Sequence, residues 1–303
     1  MNLLLTGASG FLGSQLYAAC SSCSNVITLG TKAVNAIQCD LSNEQPNIQN
    51  IQAVIHAAGR AHSYPTTEEE KQAFFSVNVL GTENLLKSLE DVNIEKFIFV
   101  SSVAVYGLEM GYLIDERNPL LGLSPYALSK MKAEQAVISW CKVKQIPYLI
   151  VRLPLIAGPN PPGNLGKMIW AIRQGRYVRF ALGESRKSMV LASDVASLFI
   201  EWLKDKKSVS GIYNLTDGYH PSFFELEEAF KNAFGKSWIP SLPHYITALL
   251  AKIGDRFPFF PLNSELMNKI TNTLTFSDEK AVIELGWKPH RVLDAIPSLI
   301  SKG

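Results

Sequence analysis

Short runs of apolar residues alternate along the chain with longer segments in which apolar residues recur every three or four positions. The short runs are typical of buried strands, and the longer periodic segments are typical of helices that pack on one face. The first apolar run begins at Leu3 and continues directly into a glycine-rich turn. Further strands are predicted over residues 25–29, 36–41, 53–59, 96–100 and 147–153, and helices over 14–19, 68–89 and 125–143.

This alternation of strands and helices predicts an α/β fold with a mostly parallel sheet covered on both faces. Right-handed crossovers then make it a Rossmann-type doubly wound sheet. The sequence Gly-Pro-Asn-Pro-Pro-Gly at 158–163 marks the passage to a second part of the chain. We expect a Rossmann-type domain over 1–157 and a smaller C-terminal lobe over 158–303, from which a strand at 211–215 returns to the sheet. Within the lobe, helices are predicted over 165–174, 193–203, 222–234 and 277–285, and a strand over 177–182.

Composition excludes several classes of protein. With 47% hydrophobic and 18% charged residues among 303, the chain is predicted to be globular. Its net charge is +2 and its basic residues are scattered, so no nucleic-acid partner is expected. No stretch of about eighteen uncharged apolar residues predicts a membrane span, and no basic leader predicts a secretory signal, so we expect cytoplasmic residence. The cysteines lack the paired spacing of a disulfide or metal framework, which predicts free thiols and no metal site at Cys20, Cys23, Cys39 and Cys141.

The turn after the first strand has the glycine spacing of a dinucleotide phosphate site. Gly7 suits the tight turn, Gly10 suits close approach of the backbone to a pyrophosphate, and Gly13 suits packing of the next helix on the strand. The helix that follows offers free N–H groups and the positive end of its dipole to the phosphates. The alternative is a purely structural turn, and the position directly between a strand and a helix favours the nucleotide site.

A second group of candidate residues follows the later strands. Because ligands of open α/β sheets bind outside the carboxyl ends of the strands, Ser102 is expected at the same edge as the glycine turn. Tyr126 and Lys130 are four positions apart, which places both on one helical face, where the ammonium can lower the pKa of the phenol. Such a tyrosine can exchange a proton with a substrate oxygen that Ser102 also hydrogen-bonds. The alternative is a chance pair on a helix.

These motifs together resemble the extended short-chain dehydrogenase/reductase family, in particular its nucleotide-sugar epimerase, dehydratase and reductase group. The matching segments are the glycine loop Thr6–Gly13, Asp40-Leu41, His56–Gly59, Val77–Thr82, and Ser101–Gly107 with Tyr126 and Lys130. The resemblance implies an NAD(P)-binding first domain, a substrate-binding lobe and a catalytic set of Ser102, Tyr126 and Lys130. It implies cofactor contacts by Gly7, Ser9, Gly10, Phe11, Leu12, Gly13, Asp40, Leu41, Ala57, Ala58, Gly59, Asn78, Lys130 and Pro154.

In the second lobe, which is expected to bind substrate, fewer residues match the family's motifs. It implies a diphosphate contact at Asn164 and a nucleobase contact at Phe180, with a phosphate contact at Arg186 or Lys187, in addition to the sugar contacts of Ser102 and Tyr126. The alternatives are a core aromatic side chain at Phe180 and solvated loop charges at the two basic positions. Members of the family often dimerise through two long helices. The resemblance therefore implies a homodimer in which the helices at 68–89 and 125–143 pair with their copies in a four-helix interface.

The end of the second strand bears on the choice of cofactor. Enzymes that use NAD normally place an acid there to bind the ribose hydroxyl groups of adenosine. This chain has Gly30, followed by Thr31 and Lys32, which can meet a 2′-phosphate. NADP(H) is therefore the favoured cofactor, and NAD(H) is the alternative. The alternative for Lys32 is a side chain that points to water and contacts no phosphate.

The residues after Ser102 bear on the reaction. Val103 and Ala104 stand where the dehydratase branch carries an acid pair, which disfavours dehydration. The favoured reaction is reduction of a nucleotide 4-keto-6-deoxy sugar, as in polysaccharide biosynthesis, because Ala58–His62 and the short span between the second and third strands resemble the reductases. The alternatives are a nucleotide-sugar 4-epimerase of the UDP-hexose type with bound NAD, and a non-catalytic nucleotide sensor, which would not need the tuned Tyr126.

Overall fold

A computed structural model describes residues 1–61, 65–180, 183–242, 244–256 and 264–301. In chain order, the strands are β1 (Asn2–Thr6), β2 (Asn25–Gly30), β3 (Ile37–Gln38), β4 (Ala53–His56), β5 (Lys96–Ser102), β6 (Gly111–Ile114), β7 (Tyr148–Leu153), β8 (Leu155–Ala157), β9 (Arg179–Phe180), β10 (Met189–Leu191), β11 (Gly211–Asn214), β12 (Ser241–Leu242) and β13 (Leu274–Phe276). The helices are α1 (Phe11–Cys20), α2 (Glu68–Phe75), α3 (Gly81–Ser88), α4 (Pro125–Lys144), α5 (Gly163–Arg173), α6 (Ala192–Lys204), α7 (Phe223–Ala233), α8 (His244–Arg256), α9 (Ser264–Thr271), α10 (Glu279–Leu285) and α11 (Val292–Ser301).

The central sheet has seven parallel strands in the order β11-β7-β5-β4-β1-β2-β3. The predicted Rossmann-type doubly wound α/β fold is thereby confirmed. Strand order reverses beside β1, because β2 lies on one side of it and β4 on the other. A crevice at the carboxyl ends of the strands forms at such a reversal, and ligands of this fold bind there.

The sheet is buried on both faces because its strands are apolar throughout. Leu3 and Leu5 of β1 belong to a core cluster that also contains residues of α1 and α6. Leu4, between them, points to the opposite face and packs in a cluster with residues of α3 and α4. All three side chains are fully buried, as the period-two alternation of a strand requires.

A separate apolar core lies beyond the sheet, in the C-terminal part of the chain. It joins α5, α7 and α11 through side chains such as Leu165, Phe230 and Ile296. β11 nevertheless lies at the edge of the central sheet, where it pairs in parallel with β7. No helix in the described ranges is both long enough and apolar enough to cross a membrane.

Several predicted elements differ in extent from the observed ones. The helix predicted over 68–89 is interrupted by one π-helical segment, Ser76–Leu80, which apolar periodicity does not reveal. The strand predicted over 53–59 ends at His56, because the next residues leave the sheet to cover the glycine turn. α1 begins at Phe11, three residues before the predicted start, since Gly10 already has the extended conformation of an N-cap residue.

Candidate active site

The glycine turn is packed so closely that side chains are excluded at two of its three glycines. Gly7 has φ +74°, and a Cβ atom there would lie 2.7 Å from the amide nitrogen of Ala58. A Cβ atom at Gly13 would lie 1.9 Å from the carbonyl oxygen of Gly7, so α1 rests directly on the turn. At Gly10 a Cβ atom would meet only that same oxygen, at 3.2 Å.

Packing therefore explains Gly7 and Gly13 more fully than Gly10, which is exposed at the tip of the turn beside Ser9. The first turn of α1 contains no acidic residue, and no side chain caps its amide groups. Its dipole and free N–H groups are thus available to an anion. These residues fit the diphosphate of a dinucleotide, with Leu12 buried beneath the loop and Phe11 half-buried at its side.

His56, at the end of β4, joins the glycine turn to the π-helical segment through a chain of hydrogen bonds. The amide of Ala58 donates to the Thr6 hydroxyl (3.0 Å), which lies 2.7 Å from His56 Nδ1. On the other side, His56 Nε2 lies 2.9 Å from the Thr82 hydroxyl, which itself donates to the carbonyl oxygen of Asn78 (2.6 Å). Thr82 must therefore accept from an Nε2–H group, and Thr6 must donate to Nδ1. Burial, with a contribution from Lys130, lowers the pKa of His56 to about 3, which keeps the ring neutral.

The Asn78 side chain lies buried in the π-helical segment and holds the backbone after β4. Its Oδ1 accepts from the amide of Arg60 (2.7 Å) and its Nδ2 donates to the carbonyl of the same residue (3.1 Å). Nδ2 also donates to the hydroxyl of Ser129 in α4 (2.8 Å). Asn78 thus connects the loop after β4 to the helix that carries Tyr126.

Ser102, Tyr126 and Lys130 come together at the carboxyl ends of the strands. Ser102 is the last residue of β5, and its hydroxyl accepts from the amide of Ala104 (3.2 Å). Tyr126 lies in the first turn of α4, directly after a proline that suits the first helical position. Lys130 follows one turn later and is buried, with its ammonium group donating to the carbonyl of Val100 (2.8 Å).

Gly59 borders the same ammonium group. A Cβ atom at Gly59 would lie 3.1 Å from Lys130 Nζ and 3.1 Å from Asn78 Oδ1, so a side chain there would crowd both. The ammonium also lies 4.9 Å from the centre of the Phe99 ring, within the range of a cation–π contact. Ala57, Ala58 and Gly59 therefore lie between the glycine turn and Lys130.

The pKa values in this group differ from the sequence-based expectation in one respect. Burial raises the pKa of Tyr126, and a hydrogen bond with Ser102 only partly opposes that rise. The expected lowering by Lys130 is wrong for this structure, because burial of the phenol is the larger effect. Burial also lowers the pKa of Lys130 to about 8, against the opposing charge of Glu134.

A buried ion pair connects α4, the helix of Tyr126 and Lys130, to β7, and the sequence analysis did not predict it. The Glu134 carboxylate, one turn after Lys130, accepts from Arg152 Nη2 of β7 (2.8 Å) and from Arg152 Nε (3.1 Å), and it also accepts from the hydroxyl of Ser101. Arg152 Nη1 donates to the Tyr106 hydroxyl (3.1 Å), which donates to Asn214 Oδ1 of β11 (2.8 Å). The sequence does contain a signal for Glu134, because Tyr126, Lys130 and Glu134 follow one another at i, i+4 spacing on one face of α4.

The residues predicted to bind the adenosine end of a cofactor lie along β2, β3 and the loops after them. Thr31 and Lys32 are exposed directly after Gly30, where a Cβ atom would lie 3.0 Å from Asn35 Nδ2. The Asp40 carboxylate accepts from Ser42 and Asn43 within its own loop. Leu41 is buried, and its carbonyl accepts from Asn84 of α3 (2.8 Å). The exposed Thr31 and Lys32 therefore remain the side chains available to a 2′-phosphate.

The residues predicted to bind substrate are more scattered. Pro154 joins β7 to β8, and Asn164 is exposed in the first turn of α5. The side chain of Phe180 lies outside the described part of the structure, as does His62. The Arg186 guanidinium donates to the carbonyl of His220 (2.9 Å) and lies 3.4 Å from the Glu225 carboxylate, so it is already paired. Lys187 is half-buried beside it, and its backbone bridges to Leu274 of β13.

Comparisons with known proteins identify the family and the fold. A family model described as the NAD dependent epimerase/dehydratase family matches residues 3–216. A UDP-glucose 4-epimerase from Vibrio cholerae is 26% identical over 96% of this chain and 92% of its own length. A dTDP-D-glucose 4,6-dehydratase from Bos taurus is 28% identical over 74% of this chain and 70% of its own length. A UDP-glucuronic acid 4-epimerase mutant from Bacillus cereus, solved with NAD and a fluorinated UDP-glucuronic acid, superimposes with a TM-score of 0.76, at 21% identity over all of this chain and 98% of that one.

Proposed function

The chain belongs to the NAD dependent epimerase/dehydratase family, and on that basis we propose that it is an NAD(P)-dependent oxidoreductase acting at C4 of a nucleotide-activated sugar. The observation that carries the proposal is the meeting of Ser102, Tyr126 and Lys130 beside the glycine turn. Lys130 Nζ lies 2.8 Å from the carbonyl oxygen of Val100 and borders Gly59, in the loop that covers the glycine turn, which supports a role for its ammonium group beside a bound dinucleotide.

The chemistry of these side chains suits proton transfer at a sugar hydroxyl or ketone. A nicotinamide dinucleotide held by the glycine turn would supply or accept the hydride. Because burial raises the pKa of Tyr126, its phenol stays protonated at neutral pH and can donate a proton to O4 during reduction. The Ser102 hydroxyl orients the same oxygen, and the Lys130 ammonium stabilises the negative charge left on the phenol.

Two forms of this reaction have separate support. Reduction of a nucleotide 4-keto-6-deoxy sugar is supported by Gly30, which takes the position of the acid that retains NAD, and by the exposed Thr31 and Lys32. Epimerisation at C4 is supported by the relatives, since the Vibrio cholerae protein matches nearly the whole chain. Dehydration is disfavoured, because Val103 and Ala104 form the 3₁₀ turn after Ser102 and supply neither acid nor base.

The cofactor distinguishes the two forms. We expect the purified protein to contain less than stoichiometric NAD, and to bind NADPH about tenfold more tightly than NADH, because Lys32 adds a charge-assisted contact to a 2′-phosphate. Nucleotide released by denaturation identifies what is bound, and quenching of protein fluorescence measures both dissociation constants. Lys32→Met should remove the difference, whereas the matched control Lys236→Met, in the loop after α7, should keep it.

The opposite result has a clear meaning as well. One equivalent of tightly held NAD, together with conversion of UDP-glucose to UDP-galactose without added cofactor, would replace the reductase with the 4-epimerase. Equal dissociation constants for NADPH and NADH would contradict the role of Lys32.

We also propose that the chain forms a homodimer through the α2–α3 and α4 face. A groove on that face is lined by Phe75, Val79, Leu80 and Lys132, and Leu80 is 41% exposed. The apolar side chains of this groove lie on the α2–α3 segment, and α4 borders them through Lys132. An exposed apolar patch beside a second helix suits a four-helix interface. We expect Leu80→Asp to convert dimers to monomers in sedimentation equilibrium, whereas Ile283→Asp, an exposed aliphatic position on α10, should leave dimers intact. A wild-type mass equal to one chain at all concentrations would contradict the proposal.

A further inference from the structure

Arg60 follows Gly59 in the loop after β4 and carries an unusual buried donor. Its guanidinium Nε is buried and has no hydrogen-bond partner. Among the side chains that the structure describes, no other buried nitrogen or oxygen atom lacks one. Buried polar atoms are nearly always paired, because desolvation without a partner is unfavourable. Hydrogen bonding within the fold therefore does not explain the position of this Nε–H group.

The backbone of Arg60 is held in a single position relative to the catalytic helix. Asn78 bonds both its amide (2.7 Å) and its carbonyl (3.1 Å), and the same side chain donates to Ser129 (2.8 Å). The Ser129 hydroxyl in turn donates to the carbonyl of Tyr126 (2.8 Å). An unbroken chain of hydrogen bonds therefore fixes Arg60 and Tyr126 relative to each other.

The guanidinium of Arg60 and the ring of Tyr126 both lie against the ring of Phe74. The guanidinium lies 5.5 Å from the centre of the Phe74 ring, and that ring lies 6.0 Å from the ring of Tyr126. The carboxylate of Glu70 is occupied elsewhere, since it accepts from Thr66 and Thr67 at the start of α2. These hydrogen bonds, with the charge of Arg60 as a smaller effect, lower the pKa of Glu70.

We propose that Arg60 is a ligand-binding residue whose guanidinium binds an oxyanion, phosphate or carboxylate, of a ligand held beside Tyr126. This inference rests on the proposed function. A guanidinium presents planar donors that match the oxygens of either group, and its contact with the Phe74 ring holds those donors near Tyr126. The oxyanion has two sources: the phosphates of the dinucleotide, or the diphosphate or a sugar carboxylate of the nucleotide sugar.

Binding measurements on Arg60→Met identify the source. The probes are NADH, NADPH, UDP-glucose and UDP-glucuronic acid, each titrated calorimetrically. Loss of a charged hydrogen bond should raise the affected dissociation constants by about 10- to 100-fold. A rise for both dinucleotides assigns the oxyanion to the cofactor, a rise for both sugars assigns it to the diphosphate, and a rise for UDP-glucuronic acid alone assigns it to the sugar carboxylate. Arg60→Lys should recover part of the loss, and Arg117→Met, at a surface side chain 91% exposed, should lose nothing.

A thermal melt separates this role from a structural one. Because Arg60 Nε makes no hydrogen bond, Arg60→Met should melt at or above the wild-type temperature. Dissociation constants within twofold of wild type for all four probes would overturn the role of Arg60 while leaving the proposed function standing. Failure of the wild-type protein to bind any of the four would overturn the proposed function and this inference together.

Discussion

Replacing Tyr126 with phenylalanine should reduce turnover of the nucleotide sugar by about 10²- to 10⁴-fold, the range expected when a general acid is removed. The substitution deletes only the hydroxyl that, in the proposed reaction, exchanges a proton with O4. The ring, half-buried beside Phe74 at 6.0 Å, keeps its packing, so the fold should be retained. Steady-state assays in the presence of NADPH or NADH, with the dissociation constant of each cofactor measured alongside, test this expectation.

The effect should appear in kcat more than in cofactor binding, because the phenol acts on the sugar oxygen and the glycine turn holds the dinucleotide. Tyr17→Phe is the matched control, since Tyr17 is 45% exposed on α1 and lies away from the carboxyl ends of the strands. Unchanged turnover in Tyr126→Phe would contradict catalysis by this residue. A wild-type protein that binds nucleotide but turns over no nucleotide sugar at C4 would instead support the nucleotide sensor.

Local pattern was sufficient to predict the sheet and the glycine turn. β1 contains three consecutive leucines and ends directly before the glycine turn. Gly7 and Gly13 lie where neighbouring atoms leave no space for a side chain. Tyr126 and Lys130 are four positions apart, so helical geometry alone places them on the same face of α4. Such features were predictable because each depends on residues near one another in the chain.

Features that depend on distant residues were not predictable in this way. The π-helical segment at 76–80 has the same apolar spacing as an ordinary helix, yet it is the segment that carries Asn78 to the backbone of Arg60. The pKa of Tyr126 was expected to fall because of Lys130, and burial raises it instead. Burial of a side chain depends on what the rest of the chain places around it, so spacing along one helix cannot determine its pKa.

The buried pair of Glu134 and Arg152 gives the largest expected effect on stability. Both side chains are almost fully buried, at 1% and 3% exposure, and the two carboxylate oxygens accept from Arg152 at 3.1 and 2.8 Å. Although burial alone would lower the pKa of Arg152, its bonds to Glu134 raise it. Glu134→Gln retains the volume of the side chain and removes its charge, which leaves a buried, unpaired guanidinium. We expect a loss of about 3–5 kcal/mol in the free energy of unfolding, measured by urea denaturation.

Two controls separate the buried charge from other causes of that loss. Glu90→Gln breaks the partly exposed pair with Lys144 and should cost less than about 1 kcal/mol. The double variant Glu134→Leu with Arg152→Met removes both charges and should be more stable than Glu134→Gln, because the unpaired cation is gone. Equal losses in Glu134→Gln and Glu90→Gln would contradict the argument.

Glu134→Gln should also act on Lys130, one helical turn away, to which we assign a catalytic role. The charge of Glu134 opposes the effect of burial on Lys130, whose pKa is about 8. Without that charge, the pKa of Lys130 should fall further, so the ammonium that stabilises the Tyr126 phenolate is lost at a lower pH. Reductive kcat/KM in Glu134→Gln should therefore decline at a lower pH than in the wild type. A pH profile of unchanged position in a folded variant would confine Glu134 to stability alone, whereas a shifted profile would make it a positioning residue for the reaction.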